Sequence, residues 1–134
     1  MFRLLATLAL FLLTMPLIAQ NASDAKVFEL RTYTTVEGKL PTLLTRFRDH
    51  TLKLFEKYGM KNVGYWVPAD GDRSKDTLIY VLEHASEDAA KKSWAAFRED
   101  PEWLRVKTAS EVNGPIITKV ESVYMKATDF SKLR

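Results

Sequence analysis

The sequence predicts an α+β fold of the ferredoxin-like β-α-β-β-α-β type, an antiparallel sheet with both helices on one face. The main observation is that four short runs rich in β-branched and aromatic residues flank two stretches of helical periodicity. A second observation is the Asp100-Pro101 step, which breaks the second helical stretch in two. The chain has 134 residues, of which 46% are hydrophobic and 28% charged. It is therefore long enough for one domain with its own core.

Charge and cysteine content exclude several classes of function. The chain carries 20 Lys and Arg against 17 Asp and Glu, for a net charge of +3, and has no basic run. That balance predicts a mixed, solvated surface and no nucleic-acid partner. The absence of cysteine excludes disulfides, thiolate metal sites and a cysteine nucleophile.

The N-terminus has the layout of a secretory signal peptide. Arg3 precedes an uncharged, largely apolar run from Leu4 to Ala19, which is shorter than the roughly 20 residues of a membrane span. Small residues follow, so cleavage after Ala19 and cleavage after Ala25 both fit. We therefore expect a signal peptide and short linker over residues 1–25, a domain over residues 26–134, and a periplasmic or extracellular protein with no stable membrane anchor after cleavage. An uncleaved anchor is the alternative.

The first strand is predicted over Val27–Thr34. Its alternation places Phe28, Leu30 and Thr32 on one face and Glu29, Arg31 and Tyr33 on the other. With helices on one side only, the far face of the sheet must meet water or another chain. We assign Glu29 and Arg31 to that far face, among tyrosine and branched residues. Such a half-polar, half-apolar face favours sheet-to-sheet dimerisation.

One long helix is predicted from Lys39 to Gly59, with Pro41 in its first turn and Gly59 as a left-handed C-cap. Its apolar face consists of Leu40, Leu43, Leu44, Phe47, Thr51, Leu54, Phe55 and Tyr58. Its solvated side consists of Arg46, Asp49, Lys53 and Glu56. This pattern is typical of a helix that covers one face of a sheet.

Two more strands follow, over Lys61–Pro68 and Thr77–His84, joined by a polar loop. Their adjacency in the sequence predicts an antiparallel hairpin with a long connection.

The second helical stretch begins at Ser86, a predicted N-cap. It buries one face made of Ala90, Trp94 and Phe97. Asp100 and Pro101 then predict an N-cap and a helix restart rather than a catalytic corner. The restarted helix ends near Gly114, and a last strand is predicted over Pro115–Met125 before an irregular tail.

An ordered set of short runs resembles the NIPSNAP family. The runs are VFELRTYT, LFEKYGM, VGYW, YVLEH, WAAFREDPEW and VESVYMKATDF, and together they cover Val27 to Phe130. The resemblance implies a homodimeric α+β barrel in which two ferredoxin-like sheets pack face to face. Superfamily relatives with that architecture include cofactor-independent monooxygenases, haem-degrading enzymes and small dehydratases, whereas the family has no established general mechanism. Many members have His where this chain has Tyr58.

Candidate catalytic residues are few. His50 and His84 are the candidates for an acid–base group, each with Glu29 as a partner. Two histidines are too few for a zinc or iron site built on three or more converging ligands, so no metal and no cofactor is expected. A role for either histidine as an axial haem ligand stays open, because one such ligand suffices.

Aromatic residues supply the candidate ligand-binding set. The set consists of Arg31, Tyr33, Tyr65, Trp66, Trp94, Phe97 and Trp103. The aromatic members serve either core and interface packing or a cleft between helix and sheet for a flat or apolar small molecule. Arg31 either anchors an acidic ligand or pairs with Glu83, Glu121 or Glu29.

Three functions fit these observations. The first is an exported homodimer that binds a small apolar or aromatic ligand, or a protein partner, without catalysis. The second is a cofactor-independent monooxygenase or isomerase that uses the aromatic cleft with His50 or His84. The third is a purely structural interaction module.

Overall fold

The computed structural model describes residues 25–134. The predicted signal peptide and both candidate cleavage sites concern residues 1–25, nearly all outside the described residues, so they stay predictions. Within the described part, no helix combines the length and apolarity needed to cross a membrane.

The chain forms one antiparallel sheet and a layer of helices. The strands are β1 (Val27–Thr35), β2 (Lys61–Trp66), β3 (Thr77–His84) and β4 (Ile117–Met125), in the order β2-β3-β1-β4. The helices are α1 (Leu40–Arg46), α2 (Leu52–Lys57), α3 (Glu87–Arg98) and α4 (Pro101–Ser110). A π-helical turn (Phe47–Thr51) joins α1 to α2, and a 3-10 turn (Asp72–Lys75) precedes β3. This arrangement confirms the predicted ferredoxin-like α+β fold.

The hydrophobic core lies between the sheet and the helices. It consists of Tyr33, Leu40, Leu43, Phe47, Leu54, Phe55, Met60, Leu78, Tyr80, Leu82, Trp94, Phe97 and Ile116. Met60, fully buried, follows Gly59, whose φ of 77° confirms the predicted left-handed C-cap. The predicted N-caps are also confirmed, because Ser86 accepts the amide hydrogen of Ala89 and Asp100 that of Trp103.

The two faces of β1 are the reverse of the prediction. Glu29, Arg31 and Tyr33 lie beneath the helices, where Glu29 bonds Trp94 of α3 and Tyr33 packs on Phe47. The alternation itself was correct, but the assignment of the charged residues to the far face was wrong. The reason is that the buried charge of Glu29 is compensated by hydrogen bonds, which polarity alone does not reveal.

The predicted solvated position of Arg46 is also wrong. Arg46 is only 4% exposed, because α4 packs across this side of α1 and places Trp103 and Ser110 against the guanidinium. The single predicted helix is instead two helices joined by a π turn. Within that turn the Thr51 hydroxyl donates a hydrogen bond to the Arg46 carbonyl at 3.2 Å.

Candidate ligand-binding cleft

A buried carboxylate, Glu29, organises the polar part of the interior. Its Oε1 accepts hydrogen bonds from Arg31 Nη1 at 2.6 Å and from Ser122 Oγ at 2.7 Å. Its Oε2 lies 2.7 Å from both Trp94 Nε1 and His84 Nε2. We call these five residues the Glu29 cluster.

Strand register brings the cluster together. β1 is flanked by β3 and β4, so Glu29 lies opposite Leu82 on one side and Tyr124 on the other. His84 and Ser122 are each two residues further along those strands and therefore reach Glu29 diagonally on the same face. Trp94 reaches it from the buried face of α3.

The hydrogen bonds keep Glu29 ionised. Burial raises its pKa, but the hydrogen bonds from His84, Trp94, Ser122 and Arg31 outweigh burial and lower that pKa to about 2. At neutral pH the carboxylate therefore acts as an acceptor that fixes its neighbours and has no proton to give.

Glu29 in turn fixes Arg31. The guanidinium donates from Nη2 to the Tyr33 hydroxyl at 3.2 Å and lies 4.2 Å from the centre of the Trp94 ring. Burial alone lowers the pKa of Arg31, but Tyr80, Tyr33 and Glu29 together raise it above its ordinary value. Arg31 is thus a permanent, immobilised cation.

The Tyr33 hydroxyl has a proton to offer. It accepts hydrogen bonds from Arg31 and, at 2.9 Å, from the hydroxyl of fully buried Tyr80. Tyr80 stays protonated, because burial raises its pKa well above the ordinary value. In residues 25–134 no protein acceptor takes the proton of Tyr33 itself, so that proton is available to a ligand.

These groups line a cavity of about 300 Å³ between the sheet, α3 and α4, which we call the cleft. Its lining residues are Arg31, Tyr33, Trp94, Phe97, Arg98, Trp103, Leu104 and Lys107. A recess of about 240 Å³ shares Arg31, Trp94 and Arg98 with the cleft and adds Glu29, Lys91, Ser122 and Tyr124. The cleft therefore combines aromatic walls with three cations, and its lining contains no carboxylate.

Asp100 holds the α4 wall of the cleft in place. Its carboxylate accepts the Trp103 amide hydrogen at 2.9 Å, Lys57 Nζ at 2.6 Å and the Tyr58 hydroxyl. The hydrogen bonds from Lys57 and Tyr58 lower the pKa of Asp100. One side chain thereby connects the C-terminus of α2 to the first turn of α4, from which Trp103 points into the cleft.

Of the predicted ligand-binding residues, Arg31, Tyr33, Trp94, Phe97 and Trp103 come together at the cleft. Tyr65 lies beside it in the core, stacked on Tyr80 with ring centres 5.3 Å apart. Trp66 lies on the opposite face of the sheet, so it has no part in this cleft.

The two candidate histidines are separated. His84 belongs to the Glu29 cluster, whereas His50 lines a groove between α1 and α4. Among the described residues, no group of three His, Asp or Glu side chains is placed to hold a metal ion. Of the partners considered for Arg31, the structure shows Glu29.

Sequence reasoning missed Ser122, Arg98 and Lys107. A strand register would have found Ser122, because it lies directly opposite Arg31 on β4. Arg98 and Lys107 gave no such signal, since surface cations at helix ends are common.

A family model and several solved structures resemble this chain. The NIPSNAP family model matches residues 28–132. A NIPSNAP family protein of unknown function from Agrobacterium tumefaciens is 23% identical, with a TM-score of 0.70 over 83% of this chain and 96% of that one. A second NIPSNAP family protein from the same organism is 26% identical, with a TM-score of 0.70 over 81% and 99%.

A more distant likeness is to SnoaB, a cofactor-independent oxygenase from Streptomyces nogalater. It is 15% identical, with a TM-score of 0.53 over 81% of this chain and 98% of that one, which shows a shared fold alone. A search of curated proteins found no match.

Proposed function

This chain belongs to the NIPSNAP family, and from that premise we propose that it binds a small, flat organic anion in the cleft. The observation that carries the proposal is the Arg31 guanidinium, immobilised by Glu29 at 2.6 Å and stacked on Trp94. A cation fixed before binding loses little entropy when it meets an anion. The aromatic walls favour a planar ligand, because ring contacts contribute about 1 kcal/mol each.

Two further features support an anionic ligand. Arg98 and Lys107 add positive charge at the same cavity, whose lining residues include no carboxylate. Lys107 also lies 3.9 Å from the Glu111 carboxylate, which is outside that lining, so Arg98 and Arg31 are the main cations of the cleft. The unpaired proton of Tyr33 supplies a donor beside Arg31. Together they would bind a carboxylate or phenolate by charge-assisted hydrogen bonds, each contributing about 1.5–3 kcal/mol.

A matched pair of probes tests this. Isothermal titration with 2-naphthoate and with its neutral analogue naphthalene-2-carboxamide separates recognition of charge from recognition of shape. We expect the acid to bind about tenfold more tightly, and Tyr33→Phe and Arg98→Gln each to weaken it about fivefold. Lys53→Met, which removes an exposed cation outside the cleft, is the control. Equal affinity for acid and amide, or no binding of either, would contradict the proposal.

Cofactor-independent oxygenation is the second candidate. Supporting it are the fold shared with SnoaB and a cleft whose cations would stabilise a phenolate or enolate. Of the two candidate histidines, His84 lies 2.7 Å from Glu29, which in turn bonds Arg31 and Trp94 of the cleft, whereas His50 lines the separate groove between α1 and α4. In such a reaction an anthrone and O₂ give an anthraquinone and water, with no external reductant.

An oxygen electrode with dithranol as the anthrone tests catalysis. The oxygenase expectation is O₂ uptake above the buffer rate that survives EDTA and falls at least tenfold in Tyr33→Phe. Uptake equal to the buffer rate would leave ligand binding as the function of the cleft.

We also propose that the protein is a homodimer formed through the open face of its sheet. The face presents Leu30 between Val81 and Val123, with Trp66 and Ile79 beside them. Val123 is 55% exposed and Trp66 is 53% exposed, which is unusual for a row of large apolar residues on a sheet. A second copy of the same face would bury them.

A further inference from the structure

A groove of about 470 Å³ lies between α1, the π turn and α4, outside the cleft. Its lining residues are Pro41, Thr42, Thr45, Arg46, His50, Arg105, Val106, Ala109 and Ser110. We call it the α1–α4 groove. Three nitrogen-bearing side chains and three hydroxyls line it, and none of its lining residues carries a carboxylate.

Arg46 is a buried cation with too few partners. Its Nη1 donates to Ser110 Oγ at 3.1 Å, while the nearest carboxylate oxygen, on Glu111, lies 3.6 Å away. Its Nε is buried with no hydrogen-bond partner in the described chain. Burial lowers the pKa of Arg46, because the attraction of Glu111 offsets desolvation only in part. A buried guanidinium in this state is stabilised by any anion that reaches it.

The surroundings of Arg46 suit an oxyanion. His50 and Arg105 lie at the groove with the hydroxyls of Thr42 and Thr45, which donate to oxyanion oxygens. Glu111 shares its charge between two cations, because its Oε1 lies 3.6 Å from Arg46 and its Oε2 lies 3.9 Å from Lys107 Nζ. The attraction of the groove for negative charge is therefore only partly cancelled.

The helix is irregular at this point. The π turn begins directly after Arg46 and contains His50. Such turns occur frequently at functional sites. The irregularity is a second, independent observation at the groove.

We propose that the α1–α4 groove is a second binding site, for an organic oxyanion of the carboxylate or phosphate-ester class. Arg46 is its buried anchor, and Arg105 and His50 contact the anion at the rim. The apolar lining from Pro41, Val106 and Ala109 accommodates the organic part. The site lies apart from the cleft, although Arg46 borders both through its contact with Trp103 at 5.0 Å.

NMR titration of the ¹⁵N-labelled protein at constant ionic strength tests the site, with inorganic phosphate in one arm and propionate in the other. We expect saturable shifts of the backbone amides in residues 42–50 and 105–110 with at least one probe. The probe that saturates identifies the headgroup class. Arg105→Gln and His50→Gln should each weaken binding about fivefold.

Two controls make the test specific. Arg48→Gln removes an exposed arginine of the π turn that does not line the groove, and it should change affinity less than twofold. Arg98→Gln, which affects the cleft alone, should also leave the groove unchanged. Shifts that never saturate with either probe, or equal losses in Arg48→Gln and Arg105→Gln, would overturn the proposal.

Discussion

Glu29 shows how one residue sets the chemistry of the interior. It is 1% exposed, yet it keeps its charge because Arg31, Ser122, Trp94 and His84 surround it. Removing one member of such a buried network leaves the others without partners, and the unpaired charge dominates the cost.

We expect Glu29→Gln to lower the free energy of unfolding by about 3 kcal/mol, because Arg31 loses its counter-charge. Urea denaturation followed by circular dichroism measures the change. Glu121→Gln is the matched control, since Glu121 is exposed on the open face and its one ion pair within residues 25–134 is with Lys119. Similar losses of unfolding free energy in the two variants would show that the burial of the Glu29 charge does not contribute to its effect on stability.

The pH dependence follows from the same carboxylate. The pKa of Glu29 is lowered from 4.5 to about 2 in the folded protein. A lowered folded-state pKa contributes stability that is complete above the unfolded value and is lost as pH falls towards the folded one. Stability should therefore decline between about pH 4.5 and 2, and less steeply in Glu29→Gln. Equal slopes in the two proteins would contradict this. Asp100, whose pKa is also lowered, contributes to the decline that remains in the variant.

At the residue scale the sequence predicted which residues belong to the candidate site better than it predicted the face of the sheet on which they lie. Arg31 and Tyr33 were recognised as candidates for the site, and Glu29 was among the partners considered for Arg31. The side of the sheet was missed, because a strand pattern with Glu and Arg on one face ordinarily has that face in water. Burial of Glu29 depends on donors from β3, β4 and α3, which a one-strand pattern cannot contain.

At the element scale, the α3–α4 corner is a junction rather than an interruption. Asp100 follows the end of α3, caps α4 and accepts hydrogen bonds from Lys57 and Tyr58 at the C-terminal end of α2. Capping was predictable from Asp-Pro, whereas the contact with α2 depends on tertiary packing.

Two substitutions separate these roles. Asp100→Asn keeps an acceptor for the Trp103 amide but loses the charge that Lys57 faces, and Asp100→Ala loses both. We expect the melting temperature to fall in both, and further in Asp100→Ala than in Ser86→Ala, which removes only a cap contributing about 1 kcal/mol. Differential scanning calorimetry measures the order, and a fall in Asp100→Ala no larger than in Ser86→Ala would reduce the corner to capping alone.

Element boundaries were predicted within a few residues, because caps and glycines mark them locally. The π turn at Phe47–Thr51 was not, since apolar residues continue at helical spacing through it. The burial of Arg46 was not predicted either, because only the packing of α4 against α1 reveals that the outer side of the helix is covered.

At the scale of the whole molecule, the proposed dimer depends on the open face of the sheet. If two copies associate through it, Val123→Asp should yield a monomer, because a charge would be buried at the centre of the contact. Light scattering after gel filtration measures the mass. Val112→Asp is the control, a valine that is 79% exposed and lies outside the sheet. A monomeric mass for the wild-type protein at high concentration would contradict the proposed dimer.

The overall topology was predictable from the order of elements, because few topologies are compatible with the order β-α-β-β-α-β and short connections. The cleft followed only in part. Five of its residues belonged to the predicted set, whereas Trp66, predicted with them, lies on the other side of the sheet.

Because they lie on opposite faces of the sheet, two of the three tryptophans, Trp66 and Trp94, report on different parts of the protein through their fluorescence. Trp66 lies across Gly64 on the open face, where a side-chain carbon on Gly64 would come within 2.5 Å of the ring. Trp94 is 7% exposed and bonded to Glu29. Acrylamide should therefore quench Trp66 first, and its protection would register anything that covers the sheet. The emission of Trp94 would respond instead to acid, when its carboxylate partner takes up a proton.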